Sequence, residues 1–173
     1  SGGAGMRAAL AAAENGAKVI LLEKMSSLGG ATKLSGGIIP AVGTKQQIEA
    51  GIADNNDWFA RDILRPSNYS VRQDLVYTVV ENSKSLIEWM ESMGCRFTLV
   101  TNVLYYGQSN YRMHKSDGSG LGMTETLIKY LENVPAITVM RETAGTGLIT
   151  NKAGEVIGVT ASNGKTSFNI YAN

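Results

Sequence analysis

Cysteine and histidine are all but absent: the 173 residues hold one of each, Cys95 and His114. A single thiol excludes an internal disulfide and any all-cysteine metal cluster, and no metal site is expected. Gly94 and Phe97 beside it mark Cys95 as a half-buried structural residue. An excess of one charge is missing too. Lys and Arg number 16 against 15 Asp and Glu, a net charge of +1, and no basic run occurs. Proteins that bind phosphate backbones usually carry a basic stripe, so nucleic acid is excluded as a partner. No apolar run nears the ~20 residues that span a bilayer, so no membrane span is expected in this chain. The remaining composition, 43% hydrophobic and 18% charged, suits one globular domain, or most of one, with a sizeable core.

Glycine is abundant, at 20 residues, and clusters near the start. Ser1-Gly2-Gly3-Ala4-Gly5 leads into a small-residue helix in which Met6, Ala9, Leu10 and Ala13 share one thin face. Asn15-Gly16 stops that helix. Val19-Ile20-Leu21-Leu22 lacks polar alternation, as expected of a parallel central strand buried on both faces. Glu23 ends it, at about the twenty-residue spacing that places an acid on a ribose. Glycine turn, helix, strand and acid in this order predict a dinucleotide site: unpaired N–H groups and the helix dipole take a pyrophosphate, and the carboxylate takes ribose hydroxyls while disfavouring a 2′-phosphate. A structural glycine turn with a solvated Glu23 is the competing reading. The fingerprint's first glycine and the strand before it would precede Ser1. The expectation is therefore that residues 1–173 are the N-terminal part of a binding domain lacking its first strand. Such a piece in isolation is expected to bind its cofactor poorly and to self-associate.

Further along, residues 24–44 form a glycine-rich loop, and Thr44–Ile52 a short polar helix. Trp58, Phe59, Ile63 and Leu64 lie on another helix behind Asn55, halted before Pro66. Ser70-Val71-Arg72-Gln73 has capping-box spacing. It opens a long helical pattern with Val71, Leu75, Val79, Leu86, Met90 and Met93 as the inner face, which a break near Asn82-Ser83 would make two helices. A strand over 97–100, a polar stretch over 101–120, a helix over 120–131 and a strand over 137–140 follow. Three β-rich runs, separated by Lys152-Ala153-Gly154 and Ser162-Asn163-Gly164, predict an antiparallel meander at the end. The fold class is thus α/β: a Rossmann-like parallel sheet with helices, plus an antiparallel β-meander near the C-terminus.

A second set of glycines selects the cofactor. Gly29-Gly30-Ala31-Thr32 and Ser35-Gly36-Gly37 offer further close backbone contacts just beyond Glu23, which a long extended FAD needs and a nicotinamide dinucleotide does not. Ser1–Gly5, Leu21-Leu22-Glu23-Lys24 and Leu28–Gly37 resemble the FAD-binding start of the fumarate reductase/succinate dehydrogenase flavoprotein superfamily. That group includes soluble flavocytochrome c fumarate reductases, urocanate reductases and 3-ketosteroid dehydrogenases. Leu86–Gly94, Arg112-Met113-His114-Lys115 with Gly118–Gly122, and Thr143–Ile149 extend the resemblance over nearly the whole chain. It implies Ser1–Gly5 as the dinucleotide turn, Glu23 and Lys24 at the ribose, and Gly29, Gly30, Ala31 and Thr32 on the pyrophosphate side. It also implies Ser35, Gly36 and Gly37 near the flavin, and Gly145 facing adenine through its backbone. Ala31 departs from the family's polar residue and Gly145 from a common valine. Residues 24–44 hold no histidine, so FAD is expected to be non-covalent.

The implied parent is an FAD-dependent oxidoreductase that moves hydride between flavin and an activated C–C bond, in an enoate or an enone. Its proton donor and substrate-clamping residues would lie in a capping domain outside this chain. No catalytic residue is therefore assigned here, and Arg112 and His114 are expected to be structural or flavin-adjacent. Small-molecule substrate would arrive through those other domains, and electrons from a donor domain or protein. Two other classes fit the residues: a non-catalytic nucleotide-binding module, and an NAD-dependent dehydrogenase using only the first turn. The expected fragment alone would be inactive.

Overall fold

A computed structural model describes residues 1–172. The chain runs α1 (Gly3–Glu14), β1 (Val19–Leu22), α2 (Gly30–Leu34), β2 (Ile38–Pro40), α3 (Lys45–Glu49) and α4 (Asn56–Leu64). A 3-10 turn (Arg65–Ser67), α5 (Gln73–Ser92), β3 (Phe97–Leu99), β4 (Met113–Ser116) and α6 (Ser119–Glu132) follow. The last strands are β5 (Ile137–Met140), β6 (Ala144–Thr150), β7 (Val156–Ser162) and β8 (Ser167–Tyr171). Its contacts divide into two compact units, Ser1–Ala31 with the chain from Leu127 onward, and Thr32–Thr126.

In the first unit β1 and β5 pair in parallel, Val19 opposite Ile137 through Leu22 opposite Met140. Helix α1 packs on them through Met6, Ala9 and Leu10, which are fully buried. Burying Met6 and Leu10 contributes about 1.5–3 kcal/mol each before the entropy of ordering is set against it. Asn15 caps α1, and Gly16 beyond it takes φ +84°. Among the described residues β1 pairs with β5, and Ile20 is 48% exposed.

The meander forms as expected, β6–β7–β8 antiparallel. Each turn is organised by an asparagine. Asn151 Oδ1 accepts from the N–H groups of Ala153 (2.9 Å) and Glu155 (3.0 Å), and Asn163 Oδ1 from Lys165 (3.0 Å) and Thr166 (2.9 Å).

The second unit is built on α4 and α5, whose core is Val42, Phe59, Ala60, Leu64, Val76 and Val80. Beside them lies an antiparallel sheet in the order β2–β4–β3. Asn55 caps α4 by accepting from Trp58 N–H at 2.9 Å, and Thr44 caps α3. Both β2 and β4 fall in stretches expected to be irregular, as does α2. Each is five residues or fewer, too short for periodicity to register.

Helix α5 corrects the expected cap and inner face and settles the length. It is one helix without a break, and its N-cap is Arg72 with no side-chain cap, while Ser70 Oγ donates to Ser67 O instead. Its buried face is Val76, Val80, Ser83, Ile87 and Met90, whereas Leu75 (52%) and Val79 (57%) are exposed. Val79 and Val80 offer two adjacent apolar stripes, and a serine disguises the true one. Ser83 Oγ is satisfied inside the core, donating to Val80 O at 2.7 Å and accepting from Val42 N–H at 3.3 Å. Asn82 likewise bonds along the helix, to Thr78 O at 2.8 Å, so neither side chain breaks it.

Cys95 is buried, and burial pushes its thiol up against a smaller opposing effect of a hydrogen bond with Thr126.

Candidate cofactor-binding site

In the first unit the opening glycines and the second glycine cluster lie backbone to backbone. Gly2 and Gly29 form an isolated parallel bridge, and Gly29 N–H donates to Ser1 O at 2.9 Å. Gly30 takes φ +49°, and a β-carbon there would lie 3.3 Å from Gly2 Cα. Gly2 is also the N-cap of α1, extended and with no side chain to bond the helix end; no acid occupies the first turn. A β-carbon on Gly5 would meet nothing within 4 Å. Ala4 is exposed and Gly3 half-buried. A twelve-residue helix thus presents the positive end of its dipole beside bare backbone, the arrangement that receives a phosphate.

Glu23 lies just past β1, 5% exposed. Its Oε2 accepts from the Ser1 hydroxyl at 2.6 Å and from the Ser1 backbone nitrogen at 2.8 Å, and its Oε1 from Met25 N–H at 2.8 Å. Burial raises its pKa, but these bonds outweigh burial and lower it. The carboxylate is therefore ionised and acceptor-only. Lys24 is exposed.

The backbone bond of Thr143 to Glu23 was not foreseen. Its N–H donates to Glu23 O at 2.8 Å, and Glu142 N–H to Met25 O at 3.0 Å, so the β1–β5 alignment continues past the strand ends. No sequence signal marks this, because the bonds are from backbone alone. The continuation leads directly into β6, where Gly145 is exposed, pairs with Ala161 beside a bulge, and would place a β-carbon 3.8 Å from Leu22 Cδ1. Ser1, Gly2, Glu23, Gly29, Gly30 and Gly145 therefore share one unit, clustered around the ends of α1 and β1. Ala31, exposed, and Thr32 fall in α2.

Ser35, Gly36 and Gly37 belong to the second unit, where packing accounts for part of their character. Gly37 takes φ +67°, and a β-carbon there would come within 2.3 Å of Ser116 Oγ and 2.4 Å of Ser119 C. Gly120, outside the predicted set, would put a β-carbon 2.1 Å from Thr32 O and 2.7 Å from Ser35 O. Gly120 N–H donates to Ser35 O at 3.0 Å and Ser116 N–H to Gly37 O at 2.9 Å. The 35–37 turn and the start of α6 are interlocked through bare backbone. Gly36 is open: its β-carbon would meet only Ile38 Cδ1, at 4.0 Å.

Arg112 and His114 are structural. Arg112 is fully buried, paired with Asp54 (Nε–Oδ2 2.8 Å, Nη2–Oδ1 2.9 Å) and Asp62, bonded to Gln108, and stacked 5.0 Å from the Phe59 ring centroid. Burial alone would lower its pKa, but the two aspartates raise it. Asp62 Oδ2 also accepts from the N–H and hydroxyl of Ser109, at 2.6 and 2.7 Å. His114 donates from Nδ1 to Arg112 O at 2.9 Å, which leaves Nε2 to accept from the Thr44 hydroxyl at 2.8 Å. Burial pushes its pKa down, so the ring is neutral. Asp54 and Asp62 are the partners that sequence reading missed; they precede Arg112 by 58 and 50 positions.

Among the described residues no helix is long and apolar enough to cross a membrane.

Known proteins bear on this geometry. A family described as FAD binding domain matches residues 1–173. Urocanate reductase of Eggerthella lenta is 33% identical over 164 residues, 94% of this chain and 27% of that protein. A fumarate reductase (cytochrome) of Shewanella frigidimarina is 33% identical over 161 residues, 92% of this chain and 28% of that protein. The open conformation of a flavocytochrome c3 fumarate reductase superposes with a TM-score of 0.91 at 30% identity, covering 99% of this chain and 30% of its own. The chain thus spans less than a third of the length of these relatives.

Proposed function

Because the chain belongs to the FAD binding domain family, we propose that it forms the nucleotide-binding part of an FAD-dependent oxidoreductase acting on an activated carbon–carbon double bond. One observation carries the reading: the N-terminus of α1, whose N-cap Gly2 has no side chain and lies against Gly29 and Gly30, is in the same unit as an ionised, buried Glu23. These residues fit FAD. The α1 N-terminus and the backbone of Gly2, Gly3, Ala4 and Gly5 would hold the pyrophosphate, with Gly29–Thr32 on the same side. Glu23 would accept from a ribose hydroxyl, and Gly145 would offer its backbone to adenine. The Ser35–Gly37 turn is our proposal for the flavin end, with Gly36 as the residue whose bare face is open. Attachment is proposed to be non-covalent: residues 24–44 hold no histidine, and both ring nitrogens of His114 are engaged.

When bound, FAD supplies two-electron redox chemistry, and the protein supplies binding, orientation and electrostatics. In that division this chain's residues bind and orient. The names of the relatives pair reduction with urocanate and fumarate, and in one case with a cytochrome. The proposed substrate is accordingly a small enoate, and the proposed electron source a donor domain or protein.

The test is the cofactor of the purified full-length parent protein. We expect yellow protein whose flavin passes into the supernatant on acid precipitation, and whose Glu23→Gln variant retains less of it. Tight NAD binding with no flavin would sink the reading.

A further inference from the structure

We propose that Asn163, in the turn between β7 and β8, is a site of spontaneous covalent modification: a deamidation that the fold promotes here and holds back at Asn15 and Asn151. The inference stands apart from the cofactor reading.

In this reaction Gly164 N attacks Asn163 Cγ, and a C–N bond forms as the Cγ–Nδ2 bond breaks. The carboxamide nitrogen leaves as ammonia, taking up the proton shed by the Gly164 amide. Water then opens the cyclic imide on one side or the other, to aspartate or to isoaspartate. Nothing is oxidised or reduced, and water is the only co-reactant. The chemistry asks for an attacking N–H with no β-carbon beside it, support for the charge that gathers on Oδ1, and a leaving nitrogen that is not held.

Asn163 meets each demand. It and Gly164 are exposed, and Gly164, at φ +83°, has no atom within 4 Å of where a β-carbon would lie. The Gly164 N–H donates to the Ser162 hydroxyl at 3.2 Å, a group that can pass the proton to water. Asn163 Oδ1 accepts from Lys165 N–H at 3.0 Å, Thr166 N–H at 2.9 Å and the Thr166 hydroxyl at 3.2 Å. Donors already placed around an oxygen that gains negative charge lower the barrier.

Each of the other two asparagines has half of this arrangement. Asn15 also precedes a glycine, but at the end of α1 its Nδ2 donates to Ala11 O at 2.8 Å and Gly16 N–H donates to Ala13 O at 2.9 Å. Attack there breaks both bonds. Asn151 has the cradle, accepting from the N–H groups of Ala153 and Glu155, but Lys152 follows it and Glu155 Oε2 holds its Nδ2 at 2.7 Å. The product at 163 carries a new carboxylate, which takes the net charge from +1 to zero, and isoaspartate adds a main-chain carbon to the turn.

The test ages the purified full-length parent protein at about pH 8 in water enriched in heavy oxygen, since loss of the amide proton is favoured by base. Mass spectrometry of the peptides that hold Asn15, Asn151 and Asn163 follows conversion at each. Asn163 should convert at least about tenfold faster than Asn15, whose two bonds must break, with one heavy oxygen in each product carboxylate, and Asn151 should stay intact. In urea, where the fold is gone, the Asn15 and Asn163 rates should come within about threefold of each other. Thr166→Val, which removes the hydroxyl and keeps the N–H, should slow Asn163 in the folded protein by about threefold or more. A preference for Asn163 that survives in urea overturns the inference, because local sequence then explains it. So does a folded protein in which Asn163 converts no faster than Asn15, or in which Thr166→Val leaves its rate unchanged.

Discussion

Replacing Arg112 by methionine tests whether the buried ion cluster holds the second unit together. Methionine keeps most of the aliphatic stem and removes only the guanidinium, leaving Asp54 and Asp62 facing a site from which water is excluded; both side chains are fully buried. Removing one partner of a buried pair typically costs about 3–5 kcal/mol, because the remaining charge is uncompensated. Here the aspartates keep other donors: Asp62 retains Ser109, while Asp54 retains Gln47 Nε2 at 3.1 Å and Asn55 N–H at 3.0 Å. These pull the expected loss toward ~3 kcal/mol, and the lost stacking on Phe59 adds about 0.5–1 kcal/mol. The deficit should depend on pH. Burial on its own raises the Asp62 pKa, and the bonds from Ser109 and Arg112 outweigh it to hold the pKa below 3.8. A depressed carboxylate stabilises above its unfolded pKa and loses that contribution as pH falls through the folded one. Without Arg112 the Asp62 pKa rises, so the variant has less to lose and the gap to wild type narrows as pH falls below 3.8. Urea unfolding at about pH 7 and about pH 3 measures both effects. A loss under ~1 kcal/mol at neutral pH, or the same deficit at both, would refute the reasoning.

Other perturbations separate packing from exposure. Gly120→Ala should destabilise by about 1–3 kcal/mol, read as a lower unfolding midpoint, since its β-carbon would overlap Thr32 O and Ser35 O. Val79→Glu should leave the melting temperature within about a degree, whereas Val80→Glu should lower it sharply or prevent folding; equal effects would contradict the face assigned to α5. Because His114 is neutral and its pKa lies below 6.5, the unfolded chain binds the extra proton first. Stability should therefore be full above 6.5 and decline below it, and His114→Gln should flatten the melting-temperature slope between about pH 7 and about pH 5.

Where local chemistry decides structure, the sequence was sufficient. Asn15-Gly16 and Asn163-Gly164 each ended or turned the chain where expected, and Met6, Ala9 and Leu10 announced the buried face of α1. The glycine clusters and Glu23 stand out by their spacing, and the structure brings Gly2, Gly29, Gly30 and Glu23 into one unit. What stayed hidden depends on distant partners. Ser83 is polar by composition but apolar in effect once Val42 N–H and Val80 O satisfy it. Nothing near Arg112 in the chain names Asp54 or Asp62. Glycines 37 and 120 carry no local mark that separates packing from ligand contact.

That last pair has a consequence for any survey of tolerated substitutions. Glycines at 37 and 120 are held by each other's surroundings, with protein atoms filling the space a side chain would need. Both positions should score as intolerant in a functional screen, as a cofactor-touching glycine would. Gly36, between them in behaviour though not in sequence, has open space around it. Loss of function at 36 with folding intact would then report on the ligand, whereas loss at 37 or 120 comes with loss of the fold.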